Sequence, residues 1–223
     1  MLPNSPAWLA EYISFLGPLL HGAVLTLSIS AVAAIGAVSV GLIVCAGRMS
    51  ENRIISRITR GYISLIRGTP LLLQLFYIYY ALPEVGIVLP AFAAGVIGLS
   101  LNFGAYLAEL FRAGVQSVGS GQTEAAAALG LHRFSRFRLV VAPQALRVIL
   151  PALGNYALVL IKDSSLVAVL SVLELMRAGE LLANATFKAL PIYTMVGAIY
   201  FLMCVVVAKA FERAERMLQI PNR

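Results

Sequence analysis

The chain of 223 residues is 60% hydrophobic and only 12% charged, and its mean hydropathy is +0.88. A soluble domain carries about 25% charged residues, so this composition excludes a soluble globular protein and indicates an integral membrane protein. Lipid offers the backbone no hydrogen bonds, so only helices or closed barrels cross it, and the long unbroken apolar runs favour helices.

Five apolar segments come close to the roughly 20 residues that span the hydrocarbon core. They cover about residues 18–46, 62–82, 91–110, 145–170 and 192–208. The chain shows no repeat of fixed period and no low-complexity linker, so one membrane domain is expected. Residues 1–17 are predicted to be an extracytoplasmic segment, 18–211 the transmembrane domain with a cytoplasmic loop at about 114–142, and 212–223 a cytoplasmic tail.

The chain has a net charge of +7, and its lysines and arginines cluster in three regions. The loop after the first span, the loop after the third with its flanks, and the tail hold 13 of the 17 lysines and arginines. With five spans these regions share one face, which the positive-inside rule makes cytoplasmic, with the N-terminus outside and the C-terminus inside. The arginines are spread over three membrane-proximal regions without interleaved aromatics, so no nucleic-acid partner is expected.

Two amphipathic stretches flank the spans. In the first, isoleucines face one side and arginines the other, as in a helix at the cytoplasmic interface: Ile54, Ile55, Ile58, Arg53, Arg57 and Arg60. The second, "SVLELMRAGELLANATF" at 171–187, is predicted to pack across the outer mouth of the bundle.

Polar residues recur seven apart in three spans, a spacing that places both members on one helix face. The pairs are Arg67 with Gln74, Asn102 with Glu109, and Asn155 with Lys162, beside Asp163. Ionisable groups inside a membrane domain are functional candidates, so three inward stripes predict a wet cavity carrying both charge signs. A zwitterionic ligand suits such a cavity, because arginine holds a carboxylate in a bidentate fork and a carboxylate accepts from an ammonium group.

Simpler interpretations stay open for these residues. Arg67 is then a snorkelling side chain, Glu109 pairs with Arg112, and Lys162 and Asp163 mark the outer end of a helix. Nothing in the sequence points to catalysis: "GSGQTEAAAALG" lacks the Lys-Ser/Thr of a phosphate-binding loop, and no His, Cys or carboxylate cluster has metal-ligand spacing.

The stretch "QTEAAAALGLHRFSRFRLVVAP" at 122–143 interrupts the apolar chain with a short basic module. Ser120 or Thr123 is expected to cap a helix over 124–129, with Glu124 in its first turn and Gly130 ending it. A helix of about two turns is unstable alone in water, so it must dock on a partner.

This stretch resembles the "EAA" loop of permease subunits of bacterial ABC importers. The matching residues are Glu124, Ala125, Ala126, Gly130, Val140 and Pro143, whereas Ala142 stands where the family usually has Leu. "SLIRGTPLLLQLFYIYYALP", "GAYLAELFRAGVQSV" and "LIKDSSLVAVL" further resemble the polar amino acid branch, the histidine, glutamine and arginine type.

The resemblance implies an all-α type I importer fold with five transmembrane helices in the bacterial inner membrane. It also implies a non-catalytic chain that binds no cofactor. Its expected partners are two ABC ATPase subunits that hold ATP and Mg, a second permease that is the same or a homologous chain, an extracytoplasmic solute-binding protein, and membrane lipid. The EAA helix is then the coupling helix, with Glu124, Ala125, Ala126, Gly130, Arg133 and Arg136 facing the ATPase. Residues that match possible substrate contacts are Arg67, Thr69, Asn102, Glu109 and Asp163.

We therefore expect a permease subunit that imports polar or charged amino acids, or opine-like compounds, by alternating access driven by partner ATPases. One alternative is a stand-alone secondary transporter or channel, which would favour inverted repeats or paired broken helices. A second is a membrane scaffold without transport, which leaves the polar stripes unexplained.

Overall fold

The computed structural model describes residues 7–218, and this part of the chain is built of helices joined by short turns. The helices are α1 (Ala7–Arg48), α2 (Arg53–Arg67), α3 (Leu71–Phe76), α4 (Ala91–Ser117), α5 (Ser120–Ala128), α6 (Arg133–Arg136), α7 (Ala142–Asp163), α8 (Leu175–Thr186) and α9 (Ala189–Leu218). Three of them run on into tighter or wider turns: α3 through Tyr77–Ala81 and Leu82–Val85, α6 through Phe137–Val141, and α7 through Ser164–Leu170.

Within the described residues, four helical stretches are long and apolar enough to cross a membrane, and one bent pair brings the number to five. The predicted all-helical class with five spans therefore agrees with the structure. The first span is longer than predicted, because α1 begins at Ala7 and keeps Pro18 inside the helix. Residues 1–6 of the predicted N-terminal segment and 219–223 of the predicted tail lie outside the described residues.

The prediction of one continuous second span over 62–82 is wrong. The helix breaks between Arg67 and Leu71, and the limb 71–85 leaves α2 at an angle of 105°. Pro70 causes the break, since it has no N–H to donate and disfavours the helical conformation of Thr69 before it. The first residues of the predicted span instead belong to the amphipathic helix α2, which begins at Arg53. The side chain of Asn52 caps this helix and accepts from the N–H groups of Ile54 and Ile55.

The core of the bundle lies along α1 and α4, which run parallel to each other. Small residues bring the two backbones close, so that Gly36 lies against Ser100 and Gly41 lies against Leu107. The Ser100 hydroxyl donates to the carbonyl of Ala33 at 3.3 Å across this contact. Small residues at helix interfaces permit close approach in membranes, where helix association depends on packing and polar contacts rather than on hydrophobic burial. We call this contact the α1–α4 seam.

The bundle has two chemically different ends. The basic end carries the ends of α1 and α4, together with α2, α5 and α6. At the opposite end α8 packs beside the start of α1, where Leu175 lies against Gly22. There Lys188 donates to both carboxylate oxygens of Glu11 at 2.5 and 2.6 Å. The predicted packing of the 171–187 segment across one mouth of the bundle agrees with this position of α8.

Candidate functional site

The predicted docking helix exists but starts earlier than expected. It spans Ser120–Ala128, and Gly119 occupies its cap position without a side-chain hydrogen bond. Ser120 is already helical, and the Thr123 hydroxyl donates to the Ser120 carbonyl at 2.7 Å, so neither residue caps the helix as predicted. Glu124 consequently lies in the second turn and not in the first, where it would meet the helix dipole most directly.

The end of α5 at Gly130 is confirmed. Gly130 has φ +76°, in the left-handed region that glycine adopts without steric cost. Its N–H donates to the Ala127 carbonyl at 2.9 Å, and the N–H of Leu131 donates to the Ala126 carbonyl at 3.1 Å. These two bonds form a Schellman motif, which satisfies the last carbonyls of the helix and turns the chain toward α6.

Only one alanine of the motif packs inward. Ala126 is buried, whereas Glu124 and Ala125 are exposed. Leu129 and Phe134 are 81% and 66% exposed, so two large apolar side chains project from the basic end next to α5. A groove of about 570 Å³ separates α5 from the ends of α4 and α6. The loop is thus anchored on one side, and on the other it presents an exposed surface that carries both charged and large apolar side chains.

The arginines of this loop differ in their surroundings. Arg133 lies 3.9 Å from the Glu51 carboxylate, and both side chains are largely exposed, so this ion pair contributes little stability. The Nε of Arg136 is buried without a hydrogen-bond partner. His132 caps α6, because its Nδ1 accepts from the N–H of Phe134 at 3.4 Å.

Three predicted cavity residues meet at the break after α2. The Gln74 amide donates to the Ile66 carbonyl at 2.8 Å and to the Thr69 hydroxyl oxygen at 2.9 Å. Its Oε1 accepts from the Nδ2 of buried Asn102 at 3.0 Å. Thr69 in turn donates to the Leu65 carbonyl at 2.9 Å. This group, the Gln74 brace, satisfies carbonyls that the broken helix leaves without partners and ties the break to α4.

Arg67 and Glu109 have different partners near the break. The Arg67 guanidinium lies 5.2 Å from the centre of the Tyr106 ring, a cation–π contact. Glu109 accepts from Arg112 at 2.6 and 3.0 Å, and Arg48 lies 3.6 Å away. The pairing of Glu109 with Arg112 is thus observed. The predicted stripe of Arg67 with Gln74 on one face is wrong, because the break turns the helix between them.

The third predicted stripe stays apart from the other two. Asn155 and Lys162 are exposed on one face of α7, and Asp163 is half-buried beside Lys162. Among the described residues, no hydrogen bond or ion pair joins these three to the other candidates, although Tyr156 of α7 contacts Tyr106 at 6.1 Å between ring centres. No three His, Cys, Asp or Glu side chains in residues 7–218 converge as metal ligands would.

One buried polar centre escaped the sequence analysis. Glu174 is fully buried and accepts from the hydroxyls of Thr26 and Tyr200 and from the N–H groups of Met176 and Arg177. It caps α8 and joins that helix to α1 and α9. Burial raises the pKa of the Glu174 carboxyl above its ordinary value. The only available signal was a lone carboxylate at the start of an amphipathic stretch.

Residues 37–216 match the model of the family described as binding-protein-dependent transport system inner membrane component. The chain belongs to this family. It is therefore a permease, the multi-pass membrane component of a binding-protein-dependent transport system.

Curated relatives match most of the permease. A probable amino-acid ABC transporter permease protein, y4tG of Sinorhizobium fredii, is 37% identical over 89% of this chain and 86% of its own. The nopaline transport system permease protein NocM of Agrobacterium fabrum is 40% identical over 75% of this chain and 74% of its own.

A crystal structure described as an amino acid ABC transporter with histidines shares the fold of the permease. It superposes with a TM-score of 0.87 at 37% identity, covering 96% of this chain and all of the other. The permease therefore has the type I importer fold that the EAA loop implied.

Proposed function

We propose that the permease is a non-catalytic subunit of an ATP-driven importer of polar or charged amino acids or opine-like compounds. The names of the relatives support this substrate class, since one is described as an amino-acid permease and another as a nopaline permease. The proposal places the basic end in the cytoplasm and the start of α1 outside, in accord with the distribution of lysine and arginine.

The coupling role rests on one observation, the way α5 is presented. The helix is anchored through Ala126 and its Schellman end, while Glu124, Ala125 and Leu129 stay exposed at the basic end. We propose that this surface enters a groove of a partner ATPase, with Arg133 and Arg136 beside it. ATP and Mg would be held by two such ATPase subunits, whose closure would push α5 and move the bundle between its outward and inward states.

The substrate path is proposed to pass Arg67, Tyr106 and Glu109. Arg67 offers a fork for a carboxylate, and Tyr106 holds the guanidinium in place through its ring. Glu109 already has Arg112 as a partner, so an incoming ammonium group would compete with that arginine. Asn155, Lys162 and Asp163 lie on the free side of α7, where a second permease subunit would place its own helices and close the path.

Reconstitution tests the whole proposal. The permease is incorporated into vesicles with its ATPase and solute-binding protein, and ATP hydrolysis is measured with a panel of amino acids and opines. We expect hydrolysis to rise when binding protein and one class of solute are both present. Hydrolysis that responds to no solute would contradict the importer, and solute uptake without any ATPase would favour a stand-alone transporter instead.

A further inference from the structure

We propose that the arginine face of α2 binds the phosphate of an anionic lipid headgroup at the basic end of the bundle. The first argument is the direction of α2. The limb 71–85 packs along α4, where Leu75 lies against Gly98 and Gln74 bonds Asn102. Since α2 meets that limb at 105°, it runs across the bundle and not along it. The start of α2, where its arginines lie, therefore runs beside the membrane interface at the basic end.

The second argument is a set of arginines without partners. Arg53, Arg57 and Arg60 occupy one face of α2 and are exposed. None of the three forms an ion pair or a side-chain hydrogen bond with another residue of the 7–218 range. They line a polar pocket of about 260 Å³ together with Ser50 and Ser56. The Ser56 hydroxyl donates to the Arg48 carbonyl at 3.4 Å, so the three guanidinium groups are left to bind an anion. Guanidinium forks around one small space are the donor set that a phosphate group prefers.

The pocket contains one acidic side chain, Glu51. Its carboxylate lies 3.9 Å from Arg133 of the coupling loop, so its charge is directed partly away from the arginine face. Three positive charges against one shared negative charge leave the pocket basic. A bound phosphate diester would therefore be attracted, while a neutral headgroup would gain little.

The third argument distinguishes lipid from an acidic protein surface. Ile54, Ile58 and Leu65 lie on the adjoining face of α2 and are 68%, 66% and 64% exposed. Large aliphatic side chains immediately beside arginines fit the boundary between acyl chains and phosphates, where both faces of the helix find suitable surroundings. One lipid molecule can contact both faces of α2, with its acyl chains against the isoleucines and its phosphate among the arginines.

The test uses the full permease purified with its ATPase and a triple variant, Arg53→Gln, Arg57→Gln and Arg60→Gln. The matched control removes the same charge from the tail of α9, Lys209→Gln, Arg213→Gln and Arg216→Gln. Retained phosphatidylglycerol is counted by native mass spectrometry after extraction from vesicles that mix it with phosphatidylcholine. We expect the α2 variant to lose at least one phosphatidylglycerol per chain and the tail variant to keep it. Three contacts of this kind correspond to an affinity change on the order of a hundredfold.

Three outcomes would overturn the proposal. Equal retention by the α2 and tail variants would show that no site exists at α2. Displacement of phosphatidylglycerol by millimolar inorganic phosphate would show a site for the free anion and not for lipid. Unchanged lipid with loss of the ATPase from the α2 variant would show that this face contacts protein. The first two outcomes are read from lipid retention alone, so they are independent of the proposed importer function.

Discussion

The hydroxyl of Tyr200 donates a hydrogen bond to the buried carboxylate of Glu174 at 2.8 Å, and this bond fixes α9 against the start of α8. The same carboxylate accepts from Thr26 of α1. The first helix and the last two are therefore joined through one side chain. The arrangement makes Glu174 a shared polar contact of three helices at the end of the bundle opposite α5.

Replacing Glu174 with alanine should destabilise the permease strongly. The change removes the cap of α8, worth about 1 kcal/mol, and takes away the acceptor of the Tyr200 hydroxyl, so we expect a total loss of about 2–4 kcal/mol. The measurement is unfolding of the purified protein in detergent. Glu180→Ala is the control, since it removes only a half-exposed ion pair with Arg177 and should cost less than about 1 kcal/mol. Equal losses in the two variants would contradict the role given to Glu174.

Stability should depend on pH through the same residue. Burial raises the pKa of Glu174 in the folded state, so folding favours the protonated form. Its contribution is fully present below the ordinary glutamate pKa of 4.5 and is lost as the pH rises through the folded value. Glu174→Gln stays uncharged, so the melting temperature of the wild type should fall relative to this variant as the pH increases above 4.5. A difference that is constant with pH would show that Glu174 does not titrate in this way.

The left-handed backbone at Gly130 predicts sensitivity to side chains there. Gly130→Ala places a Cβ at φ +76° and should cost about 1–2 kcal/mol locally, so the loop should lose its shape and the ATPase its attachment. Gly130→Asn should be tolerated better, because asparagine adopts this conformation more readily. The readout is the amount of ATPase that copurifies with the inserted permease. Gly197→Ala in α9, where a Cβ meets open space away from this loop, should leave that amount unchanged.

The Gln74 brace should show energetic coupling. Gln74→Ala and Asn102→Ala each remove the bond of 3.0 Å between the two amides, so the double variant should lose about 0.5–1.5 kcal/mol less than the sum of the single losses. The measurement is a double-mutant cycle built from the unfolding free energies of the wild type, the two single variants and the double variant in detergent. The Gln144 amide donates to the Val140 carbonyl, four residues before it, and makes no bond to Asn102, so Gln144→Ala combined with Asn102→Ala should be additive. Additivity in both cycles would mean that the brace does not hold the break.

The proposed substrate path predicts losses of uptake at separate positions. Arg67→Ala should reduce uptake by at least tenfold, because one bidentate charged contact contributes about 1.5–3 kcal/mol. Glu109→Ala and Asp163→Ala test the opposite charge sign, and Arg147→Ala, which removes an exposed guanidinium of α7, is the control. The measurement is uptake of labelled solute into vesicles. Unchanged uptake in all three variants would reject a substrate site in this chain.

The five spans could be predicted because each depends on a long apolar run, which composition alone reveals. Gly68 and Pro70 on either side of Thr69 indicated a break in the helix. The apolar residues on both sides of the break nevertheless suggested one continuous span. The extra turns of α1 before Pro18 were not readable, because packing against α8 keeps that segment helical in spite of the proline.

Candidate sites that depend on local backbone could be predicted, and those that depend on contacts between separate helices could not. Gly130 was predictable because a single backbone conformation accounts for it. The Gln74 brace involves the predicted residues, yet in a role that spacing does not reveal, because the bend brings Thr69 and Asn102 to the same amide. Glu174 was not predictable, since its partners Thr26 and Tyr200 come from distant helices and no local pattern connects them.

The α1–α4 seam limits how this protein can move. A Cβ at Gly36, Gly41 or Gly104 would overlap Ser100, Leu107 or Val40, so each helix fits notches in the other. Two interlocked surfaces cannot slide past each other gradually. The pair is therefore expected to move as one rigid unit, and the Gln74 brace carries the start of the bent second span along with it.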